Sequence, residues 1–188
     1  MGMPLSSADW TVDTLQALPD DGQRYEIIDG ELLVTPAPSN RHQRAVLRLL
    51  ALLLPYVDSI GLDILVAPAD VQFSLRTLVQ PDVFVLPKIG GRFAAKFTDV
   101  GELILAVEIL SPSSERSDRY KKRALYQHEL VPEYWIIDVD ARTIERWTPN
   151  SAEAELLTTS FLWKPAPLHE ALIVDVEEYF RSVIGDAA

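Results

Sequence analysis

Leu103-Ile104-Leu105-Ala106-Val107-Glu108-Ile109-Leu110 is an apolar run broken by one acid. A run of this length reads as a β-strand covered on both faces. A carboxylate inside it costs several kcal/mol to bury unless a metal ion, a cationic side chain or a set of hydrogen bonds compensates it. Two other stretches supply candidate partners. Pro81-Asp82-Val83-Phe84-Val85-Leu86 sets a second acid at the mouth of another apolar strand, and Lys122 falls within a predicted helix. Two strand-borne carboxylates and a lysine are the parts of a metal-dependent phosphodiesterase site.

The chain on either side of these strands organises into alternating elements. Residues 1–22 read as an N-terminal extension with a short helix from Asp9 to Leu18, ahead of a single domain over 23–188. Tyr25 to Val34 reads as a hairpin, because Asp29-Gly30 is a strong two-residue turn. Asn40 with Gln43 resembles a capping box opening a helix that ends before Pro55. Strands are expected from Ile64 to Phe73 and from Val79 to Leu86, with a loop from Lys88 to Thr98 before the Leu103 strand. Ser111-Pro112-Ser113-Ser114 stops that strand, and a helix follows from about 115 to 129. Glu133 to Val139 pairs with Thr143 to Trp147 across Asp140-Ala141, and the end of the chain carries a strand near Leu172 and a helix from Val176 to Val183. Helices and strands mixed in this order predict an α/β (α+β) core, a mixed sheet flanked by helices with an N-terminal β-hairpin.

Composition narrows the chemistry. The 188 residues are 48% hydrophobic and 24% charged, ordinary values for a globular domain. No cysteine is present, so a metal would be held by oxygen ligands or by His42, His128 or His169. No apolar run reaches membrane-spanning length, and no basic start with an apolar stretch marks a secretory leader, so a cytoplasmic location without membrane contact is expected. Met1 to Ser6 matches the loose myristoylation pattern, but no polybasic patch accompanies it. The net charge of −11 opposes nonspecific nucleic-acid binding over the whole surface. Positive charge is nevertheless concentrated locally. Arg116, Arg119, Lys121, Lys122 and Arg123 fall within eight residues, and Arg41, Arg44 and Arg48 share one side of another helix.

Each candidate has a plainer reading beside the catalytic one. Asp82 after a proline is as readily a turn cap. Glu108 could belong to a buried salt bridge, although both its strand neighbours are aliphatic. Asp118, Lys122 and Tyr126 lie four residues apart and share a helical stripe, which makes Lys122 the lysine that faces the sheet. The competing role is a surface pair with Asp118 worth about 0.3–0.5 kcal/mol. His42 opens the apolar stripe His42, Val46, Leu49, Leu53 and points either at the core or at the site. Glu26, in the hairpin, either completes the acidic cluster or is the polar face of a strand. Trp135, Tyr134 and Trp147 look like sheet core or dimer surface.

These residues resemble a known set. Tyr25-Glu26-Ile27-Ile28-Asp29-Gly30-Glu31-Leu32, Pro81-Asp82-Val83 and Val107-Glu108-Ile109-Leu110-Ser111-Pro112-Ser113 are similar to motifs of the Uma-two family, within the PD-(D/E)XK nuclease superfamily. Asp118, Lys122, Tyr126 and Glu133-Tyr134-Trp135-Ile136-Ile137-Asp138 continue the match in the same order. The resemblance implies a restriction-endonuclease-like core, a four-stranded mixed sheet flanked by helices, with Asp82 and Glu108 as the motif acids. Leu110 stands where the motif lysine is expected, and the resemblance assigns its role to Lys122.

Together these readings lead to a Mg²⁺- or Mn²⁺-dependent DNA endonuclease. Asp82, Glu108 and the main-chain carbonyl of Ile109 would hold the metal, and Lys122 would orient the attacking water. Glu26, His42 and Tyr126 are secondary candidates, while Arg41, Arg44, Arg48, Arg116, Arg119 and Lys121 would steer the nucleic-acid backbone. A homodimer suits cleavage of both strands of a duplex. The alternatives are a nuclease-fold module that binds DNA or protein without cutting, and a hydrolase of a small phosphoester.

Overall fold

Apolar residues alternate between two faces along β7 (Leu105–Ile109), and that alternation divides the molecule into two cores. Leu105, Val107 and Ile109 face the larger core, and Ala106 faces the smaller. The computed structural model describes residues 10–19 and 21–185. Asp9 and the Met1 to Ser6 stretch lie outside them.

Ahead of β7 the chain forms α1 (Val12–Gln16), β1 (Arg24–Ile28), β2 (Glu31–Thr35), α2 (Asn40–Ser59), β3 (Leu62–Val66), β4 (Val71–Ser74), β5 (Thr77–Val79) and β6 (Val83–Pro87). After it come α3, β8 (Glu133–Asp138), β9 (Thr143–Trp147), β10 (Glu155–Leu157), β11 (Ser160–Trp163), β12 (Leu172–Asp175) and α4 (Val176–Ile184). Helix α3 opens with a π-helical stretch, Ser117–Lys122, and continues as α-helix over Arg123–His128.

The fold is the expected mixed α/β arrangement, with a larger sheet than four strands. Six strands run in the order β10-β9-β8-β7-β6-β3, and the β7–β8 pair is parallel while the other neighbours are antiparallel. Helices α2 and α4 and the β11–β12 pair cover one face through Leu49, Leu53, Val57, Phe161, Trp163, Phe180 and Val183. The other face meets α3 and an antiparallel sheet ordered β2-β1-β5-β4, through Tyr126, Tyr134, Ile28, Val71 and Val79. Trp135 and Tyr134 are buried, as is Trp147.

Several expected boundaries move, each for a local reason. The Tyr25 to Val34 hairpin forms, with Asp29 and Gly30 both at positive φ (52° and 84°), as a two-residue turn of this hand requires. Helix α2 is capped by Ser39, whose side chain accepts from the His42 amide at 3.2 Å, so the box expected at Asn40 and Gln43 starts one residue late. The same helix runs through Pro55 instead of stopping before it. Pro55 and Ala51, four residues before it, are both exposed, so the carbonyl that loses its partner faces water while Leu53 and Val57 keep the buried stripe continuous.

Two expected strands are each divided by a proline that cannot donate to a ladder. Ile64 to Phe73 becomes β3 and β4, in different sheets, around a cis Ala67-Pro68 bond. Val79 to Leu86 becomes β5 and β6, separated at Gln80-Pro81-Asp82. Among the described residues, no helix is long and apolar enough to cross a membrane.

The Trp135 ring is fully buried and packs edge-on against Phe161 and Trp163, with centroids 5.2 and 5.6 Å away. Trp135→Ala is expected to lower the unfolding free energy by about 3–5 kcal/mol in a urea titration.

Candidate functional site: a buried acid and lysine cluster

The break between β5 and β6 is what delivers Asp82. The last β6–β7 ladder pair is Val83 with Val107, so Ile109, two residues further, needs another acceptor for its amide. Asp82 Oδ2 provides it at 2.8 Å and also lies 2.9 Å from His42 Nε2, while Oδ1 accepts from Arg24 Nη1 at 2.7 Å. Burial alone would raise this carboxyl. The hydrogen bond and charge of His42, the Arg24 guanidinium and the Ile109 amide overcome that and hold it down at about 2. Asp82 is therefore ionised at neutral pH.

Glu108 follows Val107 on β7 and so points into the smaller core. Its Oε1 accepts from Lys122 Nζ at 2.8 Å and from the Tyr126 hydroxyl at 3.3 Å, while Oε2 is buried with no hydrogen-bond partner. Lys122 Nζ also meets Glu26 Oε1 at 2.9 Å and Asp118 Oδ1 at 3.8 Å. Glu26 is fixed in turn by the Gln80 amide at 2.7 Å, and the Tyr134 hydroxyl donates to the Asp118 carbonyl at 3.1 Å. The π-helical turn is part of this placement, since the Arg123 amide reaches back to the Asp118 carbonyl and widens the helix where Lys122 enters.

All five groups, Glu26, Asp82, Glu108, Asp118 and Lys122, are at most 2% exposed. Burial pushes the Glu108 carboxyl well up, and Asp82, Asp118 and Glu26 add to the rise against the pull of Lys122. Burial alone would lower Lys122, but Glu108, Glu26 and Asp118 hold its ammonium above its ordinary range. Burial also pushes Asp118 and Tyr126 up. Lys122 is thus a fixed positive charge at neutral pH.

The structure brings together Asp82, Glu108, Lys122, Glu26, His42 and Tyr126, all named from the sequence. Arg24 and Asp118 join them. Arg24 lies two residues from Glu26 on one strand face, and Asp118 four before Lys122, spacings that mark both in the sequence. The six residues expected to steer a backbone are placed differently from one another. Arg41 pairs with Asp140 at 2.5 Å and donates to the Val139 carbonyl, and Arg44 reaches the Val183 carbonyl at 3.3 Å. Arg119 is held by Glu115, Glu145 and Asp138, and Lys121 by Glu31. Arg48 and Arg116 are exposed with no ion pair among the described residues.

A cleft of about 820 Å³ opens beside the cluster, lined by Arg24, His42, Asp82 and Ser111 to Ser114 together with apolar groups such as Pro36, Leu47 and Pro68. Among the described residues, no three His, Asp or Glu side chains are grouped so as to hold a metal ion. The donor chemistry still suits one. Asp82 Oδ1 has a single partner and Glu108 Oε2 has none. Hard oxygen donors of this kind fit Mg²⁺, which is commonly held by one or two carboxylates plus water and substrate phosphate.

The sequence model described as "Uma2: Putative restriction endonuclease" matches residues 12–178. The chain belongs to the Uma2 family. In three dimensions it is similar to the crystal structure of a "putative nuclease belonging to DUF820" from Anabaena variabilis, with a TM-score of 0.73 and 20% sequence identity over 93% of this chain and 99% of that one. At that identity the likeness is one of fold. No curated protein matches this Uma2 chain.

The raised Glu108 carboxyl gives this site a pH signature. In the folded state Glu108 keeps its proton to higher pH than its ordinary value of 4.5, so stability falls as pH rises from there towards the folded value. Glu108→Gln removes that dependence. In urea titrations the variant is expected to gain on the wild type as pH rises above 4.5.

Proposed function

We propose that this Uma2 protein is a metal-dependent endonuclease that hydrolyses DNA phosphodiester bonds. The observation that carries the reading is the buried contact of Lys122 with Glu108 at 2.8 Å, beside an ionised Asp82 held by the amide of the residue that follows Glu108. Acid, acid and lysine converge although the lysine comes from a helix.

A Mg²⁺ or Mn²⁺ ion held by Asp82, Glu108 and the Ile109 carbonyl would polarise the phosphodiester and acidify a water. The chain's own groups do the rest. His42 and the Ile109 amide hold Asp82 in its charged form. Tyr126 orients Glu108 through its hydroxyl. Lys122, permanently protonated among three acids, acts by charge and hydrogen bonding: it orients the attacking water and offsets negative charge on the phosphate in the transition state. Such a preorganised donor is worth roughly two to three powers of ten in rate. Of the six basic residues expected to steer a backbone, Arg48 and Arg116 are exposed without an ion pair among the described residues, and a two-fold dimer would set one site against each strand.

A second reading, a nuclease-fold module that binds without cutting, draws on one observation. Asp82 and Glu108 are already matched by Arg24 and Lys122.

Cleavage of plasmid and single-stranded DNA in Mg²⁺ or Mn²⁺ separates the two. Asp82→Asn, Glu108→Gln and Lys122→Met are each expected to slow cleavage by about a hundredfold or more. DNA binding without cleavage in the wild type would favour the module, and equal cleavage by all four proteins would remove this site from the reaction.

A further inference from the structure

We infer that Arg24 is a resident counter-cation on the one oxygen of Asp82 through which a divalent ion can enter, and that the ion must displace it. The inference rests on the metal-dependent reading of the site and concerns how that site is loaded.

The hydrogen bonds on Asp82 leave a single way in. Oδ2 already accepts from the Ile109 amide and faces His42 Nε2, which fills its lone pairs. Oδ1 has one partner, Arg24 Nη1 at 2.7 Å. On Glu108 the corresponding free atom is Oε2, since Oε1 takes both Lys122 and Tyr126. The oxygens with capacity for a metal are therefore Asp82 Oδ1 and Glu108 Oε2, and a guanidinium covers the first.

Arg24 is the cation of the cluster suited to exchange. Lys122 sits within 3.8 Å of three carboxylates and is 1% exposed. Arg24 has one short ion pair, a 3.6 Å approach of Nε to Glu26 Oε2, and a 3.3 Å bond from Nη1 to the Gln80 carbonyl. Its Nε is buried with no hydrogen-bond partner. It also lines the cleft, as Lys122 does not, so a displaced guanidinium has space to enter. Removing it uncovers Asp82 Oδ1 and takes one positive charge out of the cluster.

The test is a Mn²⁺ titration without nucleic acid, followed by calorimetry and by loss of the free-ion electron paramagnetic resonance signal. Arg24→Gln is expected to bind Mn²⁺ about tenfold or more tightly than wild type, because a positive charge competing with the ion for Asp82 is gone. Arg181→Gln, which removes a charge paired with Glu178 within α4, should change affinity less than twofold. A second readout needs no substitution in the cluster. In ¹⁵N-labelled wild type, saturating Mg²⁺ should shift the Arg24 Nε–Hε resonance as the guanidinium leaves Asp82. Equal or weaker Mn²⁺ binding by folded Arg24→Gln, or an unmoved Arg24 resonance in Mg²⁺-saturated wild type, would overturn the inference while leaving a metal site that Asp82→Asn abolishes. Absence of Mn²⁺ binding in wild type and Arg24→Gln alike would overturn the metal-dependent reading as well.

Discussion

One buried ammonium organises this molecule. Lys122 comes from a helix, Glu26 from one sheet, Glu108 from the other, and Asp118 from the turn before the lysine. Breaking a buried pair by removing one partner typically costs about 3–5 kcal/mol, so these elements are tied together by a contact that tolerates little change. Well-packed apolar side chains in place of such a buried cluster are often neutral or stabilising, so stability alone does not account for a charged set in the smaller core. The two carboxylates differ in their surroundings. Asp82, bonded to Arg24, His42 and an amide, is held in its charged form, whereas burial, with three acidic neighbours adding to it, pushes the Glu108 carboxyl up.

The way the sequence exposes this cluster depends on the type of element. Glu108 is legible because an acid in an aliphatic strand contradicts its surroundings, and Lys122 because a four-residue stripe sets it beside Asp118 and Tyr126. Both are local signals. Arg24 carries none of comparable strength: a charged residue opening an edge hairpin looks solvated, and only the β5–β6 connector, 58 residues away, turns it into a partner of Asp82. Strand limits failed where prolines had to be weighed. Pro68 and Pro81 each end a strand and send the chain to the other sheet, while Pro55 leaves its helix intact because its face is wet. Strand β10 at the edge of the large sheet, and β11 beside the expected strand near Leu172, depend on packing against the larger core, which no short window records.

Charge distribution limits how the protein meets a polyanion. Most of the basic residues that cluster in the sequence are used inside the fold: Arg119 bridges α3 to β8 and β9, Lys121 ties α3 to β2, and Arg41 ties α2 to the β8–β9 turn. The cleft beside Asp82 is largely apolar. Nonspecific attraction along a duplex is therefore weak for a chain of net charge −11.

In the proposed site, Asp82 and Glu108 hold one divalent ion against a phosphodiester while Lys122 stays in place. Anomalous diffraction from crystals grown with Mn²⁺ and a short phosphorothioate oligonucleotide tests it most directly. A manganese peak is expected in contact with Asp82 Oδ1 and Glu108 Oε2, with a backbone phosphate beside it and Lys122 still bonded to Glu108. Manganese bound elsewhere, with both carboxylates retaining their present partners and the oligonucleotide far from the cleft, would contradict it.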